Sequence, residues 1–270
     1  MSISKEHLEI LELSYRVMDG SAILPKHDFG KGFSERAIEV PWAAKHLVEC
    51  EEILDIGFAF ASPDYMGMLL KLIEKYGKKI TGSDIIDPSN IKKRYPKKWL
   101  RKILAVPIVI GDVIQMKFEE NYDAVSCIST IEHIGFDEKS ETIENSSFER
   151  NVNKEKVNLN RHPDTNYRVL NSLHKALKPN GKLLISVPMG KGGGVLLKDS
   201  LNLYCSQWEY EEKSWKEITT NNLFDLKEEN FYINTINGWN EVSTPNDLKM
   251  VSNELKPHAE GCAMCILVKK

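Results

Sequence analysis

An α/β fold on a doubly wound, mostly parallel sheet is what this 270-residue sequence predicts, on three observations. The first is a set of short apolar runs that close on an acid: Ile53-Leu54-Asp55-Ile56-Gly57-Phe58-Ala59, Ile80-Thr81-Gly82-Ser83-Asp84 and Ile108-Val109-Ile110-Gly111-Asp112. Asp84 follows Asp55 by 29 residues, and Asp112 follows Asp84 by 28. The second is a fourth run, Ala124 to Ile128, that leads into Ser129-Thr130-Ile131-Glu132-His133. The third is the helix-length spacing between runs, which suits parallel strands joined by crossover helices. Ligands of such sheets bind at the carboxyl ends of the strands near the switch point, so the three acids are expected to converge on one crevice.

The elements follow in order. Residues 5–18 set Leu8, Ile10, Leu11, Leu13 and Val17 among charges, the pattern of an amphipathic helix. Residues 20–33 carry Gly20, Pro25, Gly30 and Gly32 and are expected to loop over the mouth of the crevice. Ser34 is placed to cap a helix over 35–49, interrupted or reset at Pro41. Ser62-Pro63-Asp64 reads as an N-cap with proline at the first helical position, opening a helix to Tyr76. Residues 88–104 are basic and helical in part, and residues 137–164 form the least regular stretch. A helix over 166–177 precedes a strand over 183–187. Met189-Gly190-Lys191-Gly192-Gly193-Gly194 is expected to be a flexible loop and a hinge for a lid beside the substrate. Residues 231–236 and 262–269 read as the last two strands.

Composition narrows the function classes. With 41% hydrophobic residues the chain can build a sizeable core, and a net charge of −3 gives no general affinity for nucleic acid. The start, Met1-Ser2-Ile3-Ser4-Lys5-Glu6, lacks the apolar core of a signal peptide, and no apolar run is long enough to span a bilayer, so a cytoplasmic protein is expected. Five cysteines, an odd count, argue against a disulfide framework. Cys262-x-x-Cys265 sits in an apolar strand and reads as buried rather than metal-binding.

The strand-end acids, the phrase Ser129-Thr130-Ile131-Glu132-His133 and the turn Lys178-Pro179-Asn180-Gly181-Lys182-Leu183 resemble the class I S-adenosylmethionine-dependent methyltransferases over roughly residues 35–270. The resemblance implies a seven-stranded sheet with the last strand antiparallel, carried by a domain over 34–270. Residues 1–33 are then an N-terminal extension, and 137–164 an inserted lid. It implies S-adenosylmethionine as cofactor. Gly57, Phe58 and Ala59 would bring backbone close to its methionine part beside Asp55. Asp84 would hold the ribose hydroxyls and Ile85 would pack on the adenine. Asp112 and the Val113 amide would meet the adenine edge, with Ile128 and Ser129 below. Gly-x-Gly is usual in the family, and Ala59 stands at the second glycine.

His133 is the candidate general base, because its ordinary pKa lies near neutrality, and Glu132 is the candidate to orient the acceptor. A divalent metal is not expected: relatives that bind one carry Glu-x-x-Glu-His, and Ser129 replaces the first glutamate here, leaving His162 or Asp164 as substitutes. The basic run 92–102 reads as a solvated helix face, and Lys191-Gly192-Gly193-Gly194 lacks phosphate-loop spacing. Trp208, Tyr210, Trp215 and Trp239 read mainly as core. Further phrases, Phe33-Ser34-Glu35-Arg36-Ala37-Ile38-Glu39-Val40-Pro41-Trp42 and Gly238-Trp239-Asn240-Glu241-Val242, resemble a bacterial branch associated with surface-glycan synthesis. The expected activity is O-methylation of a sugar or other hydroxylated small molecule. The alternatives are a catalytically silent module of the same fold and, further off, a nicotinamide-dependent oxidoreductase. The partner expected is a small-molecule or glycan acceptor, with self-association open and neither membrane nor nucleic acid involved.

Overall fold

Five parallel strands form the half of the sheet that the acids close. They are β1 (Glu52–Ile56), β2 (Lys79–Asp84), β3 (Ile108–Ile110), β4 (Tyr122–Ile128) and β5 (Leu177–Pro188), in the order β3-β2-β1-β4-β5. This computed structural model describes residues 3–87, 95–136, 159–198 and 204–270. Beyond β5 lie β10 (Gly261–Lys269), β8 (Phe224–Thr235) and β9 (Gly238–Val242), each antiparallel to its neighbour. A reversed last strand inserted between the fifth and the next is the arrangement the resemblance implies. The sheet has eight strands rather than seven. The eighth, β9, arises at Asn237-Gly238, a dipeptide that favours tight hairpins, where Gly238 takes φ +124°.

Alternating side chains of the strands feed two apolar layers. Ile53, Ile80, Ala124, Leu184 and Met264 pack under α1 (Lys5–Met18), α2 (Arg36–Leu47), α3 (Pro63–Tyr76) and α4 (Lys97–Ile103). Leu54, Val125, Leu183, Ile185 and Cys265 pack under α5 (Thr165–Ala176) and α6 (Glu212–Thr219). Helices on both faces explain why the strands read as continuous apolar runs. The N-terminal extension belongs to this core: α1 buries Ile10, Leu11, Val17 and Met18.

Four expectations are corrected. The helix over Arg36–Leu47 runs through Pro41 without a break. Proline costs about 3 kcal/mol there, but every residue from Ala37 to Ala44 is buried, and that packing outweighs one missing hydrogen bond. Residues 20–33 do not loop over the mouth. Phe29 exchanges backbone bonds with Trp239 at 3.3 and 2.7 Å, and the Lys26 carbonyl accepts from Glu241 N, so this segment covers the outer edge of β9. Residues 189–194 do not form a loose hinge. Gly193 opens β6 (Gly193–Lys198), which pairs with β7 (Tyr204–Glu209) in a separate hairpin. The fifth strand begins six residues earlier than expected, at Leu177, and carries a bulge that absorbs the turn at Asn180.

Other expectations hold. The Tyr95 hydroxyl donates to the Ala61 carbonyl at 2.6 Å, and Trp99 packs against Gly67 of α3, while Lys97, Lys98, Arg101 and Lys102 are exposed. Tyr210, Trp215 and Trp239 are fully buried, and so are Cys262 and Cys265. Most of the inserted stretch, residues 137–158, and residues 88–94 of the basic segment lie outside the described residues. No helix among the described residues is long and apolar enough to cross a membrane.

Candidate active site

The switch point of the sheet lies between β1 and β4, and Asp55 sits there fully buried. Its Oδ1 accepts from the Ser126 hydroxyl of β4 at 2.6 Å and from the Tyr65 hydroxyl of α3 at 2.7 Å. Its Oδ2 is buried with no hydrogen-bond partner. Burial pushes the Asp55 carboxyl up to about 7, against the two hydroxyl bonds, with Asp84 adding to the rise.

Gly57 follows, with φ +84°, a left-handed conformation that costs other residues dearly. A Cβ there would lie 2.5 Å from Thr130 Oγ1. Thr130 donates to the carbonyls of Ile56 and Ile128, so the turns after β1 and β4 interlock across the switch point. The next residues, Phe58–Phe60, make one 3₁₀ turn. The Phe58 ring is fully buried over Gly82, so only its backbone is available to a ligand. Ala59 keeps a negative φ in this turn, so an alanine is accommodated there without the strain a left-handed φ would bring. Its amide donates to Asp84 Oδ2 at 2.9 Å, and Ile86 N donates to Asp84 Oδ1 at 3.2 Å. Asp84 thus ties the glycine turn to the end of β2. Ile85 beside it is 56% exposed, which leaves its side chain available for a flat apolar group.

Asp112 accepts from Ile114 N and from Gln115 Nε2, closing the turn after β3, and Val113 is buried beneath it. At the end of β4, buried Ile128 leads to Ser129, whose φ of +46° is strained for a residue with a side chain. Ser129 N donates to Ser186 of β5, and its hydroxyl donates to Glu132 Oε1 at 2.8 Å. Glu132 is fully buried and its Oε2 has no partner. Burial pushes its carboxyl up to about 8, so it carries a proton at neutral pH.

His133 lies in the same short turn, 28% exposed, with Nε2 3.9 Å from Glu132 Oε1. Its Nδ1 is 3.0 Å from the Ser206 carbonyl of β7. A carbonyl only accepts, so Nδ1 carries the hydrogen and Nε2 is the basic nitrogen of the neutral ring. The hairpin therefore fixes the tautomer. His162 and Asp164 pair with each other on the surface at 2.8 Å, and among the described residues no group of three or more His, Cys, Asp or Glu could hold a metal ion.

Two contributions were invisible in the sequence. Arg36 opens α2 with its guanidinium 20% exposed, and Nη1 donates to buried Glu39 at 2.7 Å. Burial opposes its charge, yet Glu39, Glu35, Asp64 and Glu132 outweigh that and push its pKa up. The other contribution is the hairpin itself, which reaches His133 from 73 residues away. Arg161 braces the same turn by donating to the carbonyls of Ile131 and Ile134, both at 2.8 Å. Two surface depressions, of about 470 and about 230 Å³, lie elsewhere, one along β8 and β9 and one beside Trp208.

No protein-family model matches the chain, and no curated protein does. Among solved structures it is similar to a SAM-dependent methyltransferase from Methanosarcina mazei, at 15% identity and TM-score 0.48, over 81% of this chain and 92% of that one. It is also similar to 1,6-didemethyltoxoflavin-N1-methyltransferase from Burkholderia thailandensis, solved with S-adenosylhomocysteine, at 15% identity and TM-score 0.47, over 100% of this chain and 92% of that one. Likeness at this level assigns no role to any residue; sheet order and the chemistry at the strand ends carry the functional reading.

Proposed function

We propose that this chain is an S-adenosylmethionine-dependent methyltransferase, and that it methylates a hydroxyl of a sugar or another hydroxylated small molecule. The observation that carries the reading is the constellation at the switch point: the unpartnered Asp55 oxygen, the left-handed turn at Gly57, and Asp84 closing the next strand. The reversed β10 supports it over a nicotinamide-dependent oxidoreductase, which also wants a Gly-x-Gly-x-x-Gly absent here.

The residues fit the cofactor. Asp55 Oδ2 suits an ammonium, and the backbone of Gly57, Phe58 and Ala59 suits the chain next to it. Arg36 has donors beyond the one given to Glu39, which suit a carboxylate. Asp84 is assigned the ribose hydroxyls, Ile85 a face of the adenine, and Asp112 with the Val113 amide its edge. Ile128 and Ser129 form the floor. When bound, the cofactor supplies an electrophilic methyl on sulfur.

The chain's own work is alignment and proton removal. His133 Nε2 takes the proton of the acceptor hydroxyl while the Ser206 carbonyl holds Nδ1–H. Glu132, neutral beforehand, ionises more readily once the imidazolium forms beside it.

Incubation with methyl-labelled S-adenosylmethionine and a set of hydroxylated small molecules tests the reading. Labelled product together with S-adenosylhomocysteine is expected. Tight S-adenosylhomocysteine binding with no transfer to any acceptor would favour the silent module instead.

A further inference from the structure

The inner face of the β6–β7 hairpin carries a second set of polar groups that the methyl-transfer chemistry does not use. Side chains alternate along a strand, so Cys205, Gln207 and Glu209 of β7 share one face. Cys205 Sγ lies 3.8 Å from His133 Nδ1 at one end. At the other end Glu209 accepts from Asn253 N at 2.8 Å and Gly192 N at 3.2 Å, which pins the hairpin over the sheet. Gln207 lies between them, 3% exposed, and its amide nitrogen is buried without an acceptor. Asn253, fully buried against Glu209, likewise has an unpartnered amide nitrogen while its Oδ1 accepts from Glu260 N. Across His133, Glu132 Oε2 is unpartnered too.

Buried polar groups are almost always paired, because leaving an amide unpaired costs stability. Three such atoms, one on β7, one on the turn that carries His133 and one on the segment pinned to the hairpin through Glu209, mark a place suited to a polar guest. Two of them can only donate. The guest therefore offers acceptor oxygens on the hairpin side and a hydroxyl on the His133 side.

The structure assigns to Gln207 the recognition of an oxygen on the acceptor molecule, next to the hydroxyl that is methylated. The substrate class is accordingly compounds with neighbouring oxygens, vicinal diols or hydroxy-carbonyls, rather than isolated alcohols. Asn253 supplies a second donor to the same group or to its neighbour. This assignment rests on the methyltransferase reading and adds the specificity determinant to it. A site with a buried donor rejects an analogue lacking the matching oxygen far better than an apolar pocket rejects one of the wrong size.

The test uses the full chain in three forms: wild type, Gln207→Leu and Gln207→Glu. Thermal unfolding without ligand comes first. A buried amide nitrogen with no acceptor gains nothing by staying, so Gln207→Leu should keep the melting temperature or raise it by about 2–4 °C. Turnover with S-adenosylmethionine follows, on methyl glucoside and its monodeoxy analogues and on lactate against ethanol as probes. Wild type should favour members with neighbouring oxygens, and Gln207→Leu should erase that preference with a loss of roughly 10- to 100-fold on them. Gln207→Glu, which turns the donor into an acceptor, should lose as much.

A fall of more than about 4 °C in Gln207→Leu would show a structural partner such as a trapped water and overturn the assignment. Equal turnover by wild type on single-oxygen and neighbouring-oxygen probes would overturn it as well. Failure of S-adenosylhomocysteine to stabilise wild type would instead sink the methyltransferase reading, a separate readout that the melting comparison does not share.

Discussion

Replacing Asp55 by asparagine probes the buried carboxyl at the switch point. Asp55 has an ordinary value of 3.8 and is pushed up to about 7 by burial, so the native protein holds this proton more tightly than the unfolded chain between those values. Stability contributed by this group therefore falls as pH rises from about 4 to about 7 and is level above. The full gap corresponds to about 4 kcal/mol at pH 8, of which about 1.5 kcal/mol is already lost at pH 5. Asp55→Asn keeps Oδ1 for Tyr65 and Ser126 and cannot ionise, at the cost of a buried unpaired amide, about 1–3 kcal/mol. The variant should lie within about 1.5 kcal/mol of wild type near pH 5 and exceed it near pH 8, a swing of about 2.5 kcal/mol. At roughly 2–3 °C per kcal/mol for a chain of this size, the difference in melting temperature should change by about 5–8 °C between the two pH values. Glu132 also titrates in this range but is common to both proteins and cancels in the difference. An ammonium on Oδ2 favours the ionised form, so wild-type affinity for S-adenosylhomocysteine should rise with pH through about 7, and the variant should bind at least about tenfold more weakly at pH 8. Parallel pH dependences of the two melting temperatures would refute the reasoning.

Three further outcomes are expected. Asp84→Ala should weaken S-adenosylhomocysteine at least tenfold by calorimetry while the chain stays folded by circular dichroism, since charge-assisted bonds contribute about 1.5–3 kcal/mol each. His133→Ala and His133→Gln should each lose roughly 10²–10⁴ in turnover at saturating cofactor and keep cofactor affinity; near-full turnover in both would make His133 architectural. Gly57→Ala should cost about 2–4 kcal/mol in chemical denaturation, because it combines a left-handed φ with a Cβ 2.5 Å from Thr130 Oγ1.

The parallel half of the fold was legible because β1, β4 and β5 are buried apolar runs, and Asp55, Asp84 and Asp112 punctuate the first three strands, so period and punctuation agreed. Asp55, Gly57, Asp84, Glu132 and His133 fall at strand ends, where the sequence expectation put them. What escaped depended on contacts between distant segments. The edge strand β9 was signalled by Asn237-Gly238 but hidden beside the longer run of β8. Residues 20–33 carry the composition of a loop, and only the pairing of Phe29 with Trp239 shows that they cover an edge. Glycines at 190–194 read as a hinge, yet Gly190 and Gly194 are needed for close approach, to Val251 and Glu209 and to Leu159. Arg36 and Gln207 have no local pattern at all: each matters through a neighbour far along the chain.

Thermal unfolding of wild type with S-adenosylhomocysteine, with NAD and without ligand tests most directly whether the switch-point crevice is a site for S-adenosylmethionine. A ligand at 100 times its dissociation constant stabilises by about 2.7 kcal/mol, a rise of roughly 5–8 °C. That rise is expected with S-adenosylhomocysteine and not with NAD. Equal melting temperatures in all three, or a rise with NAD alone, would contradict it.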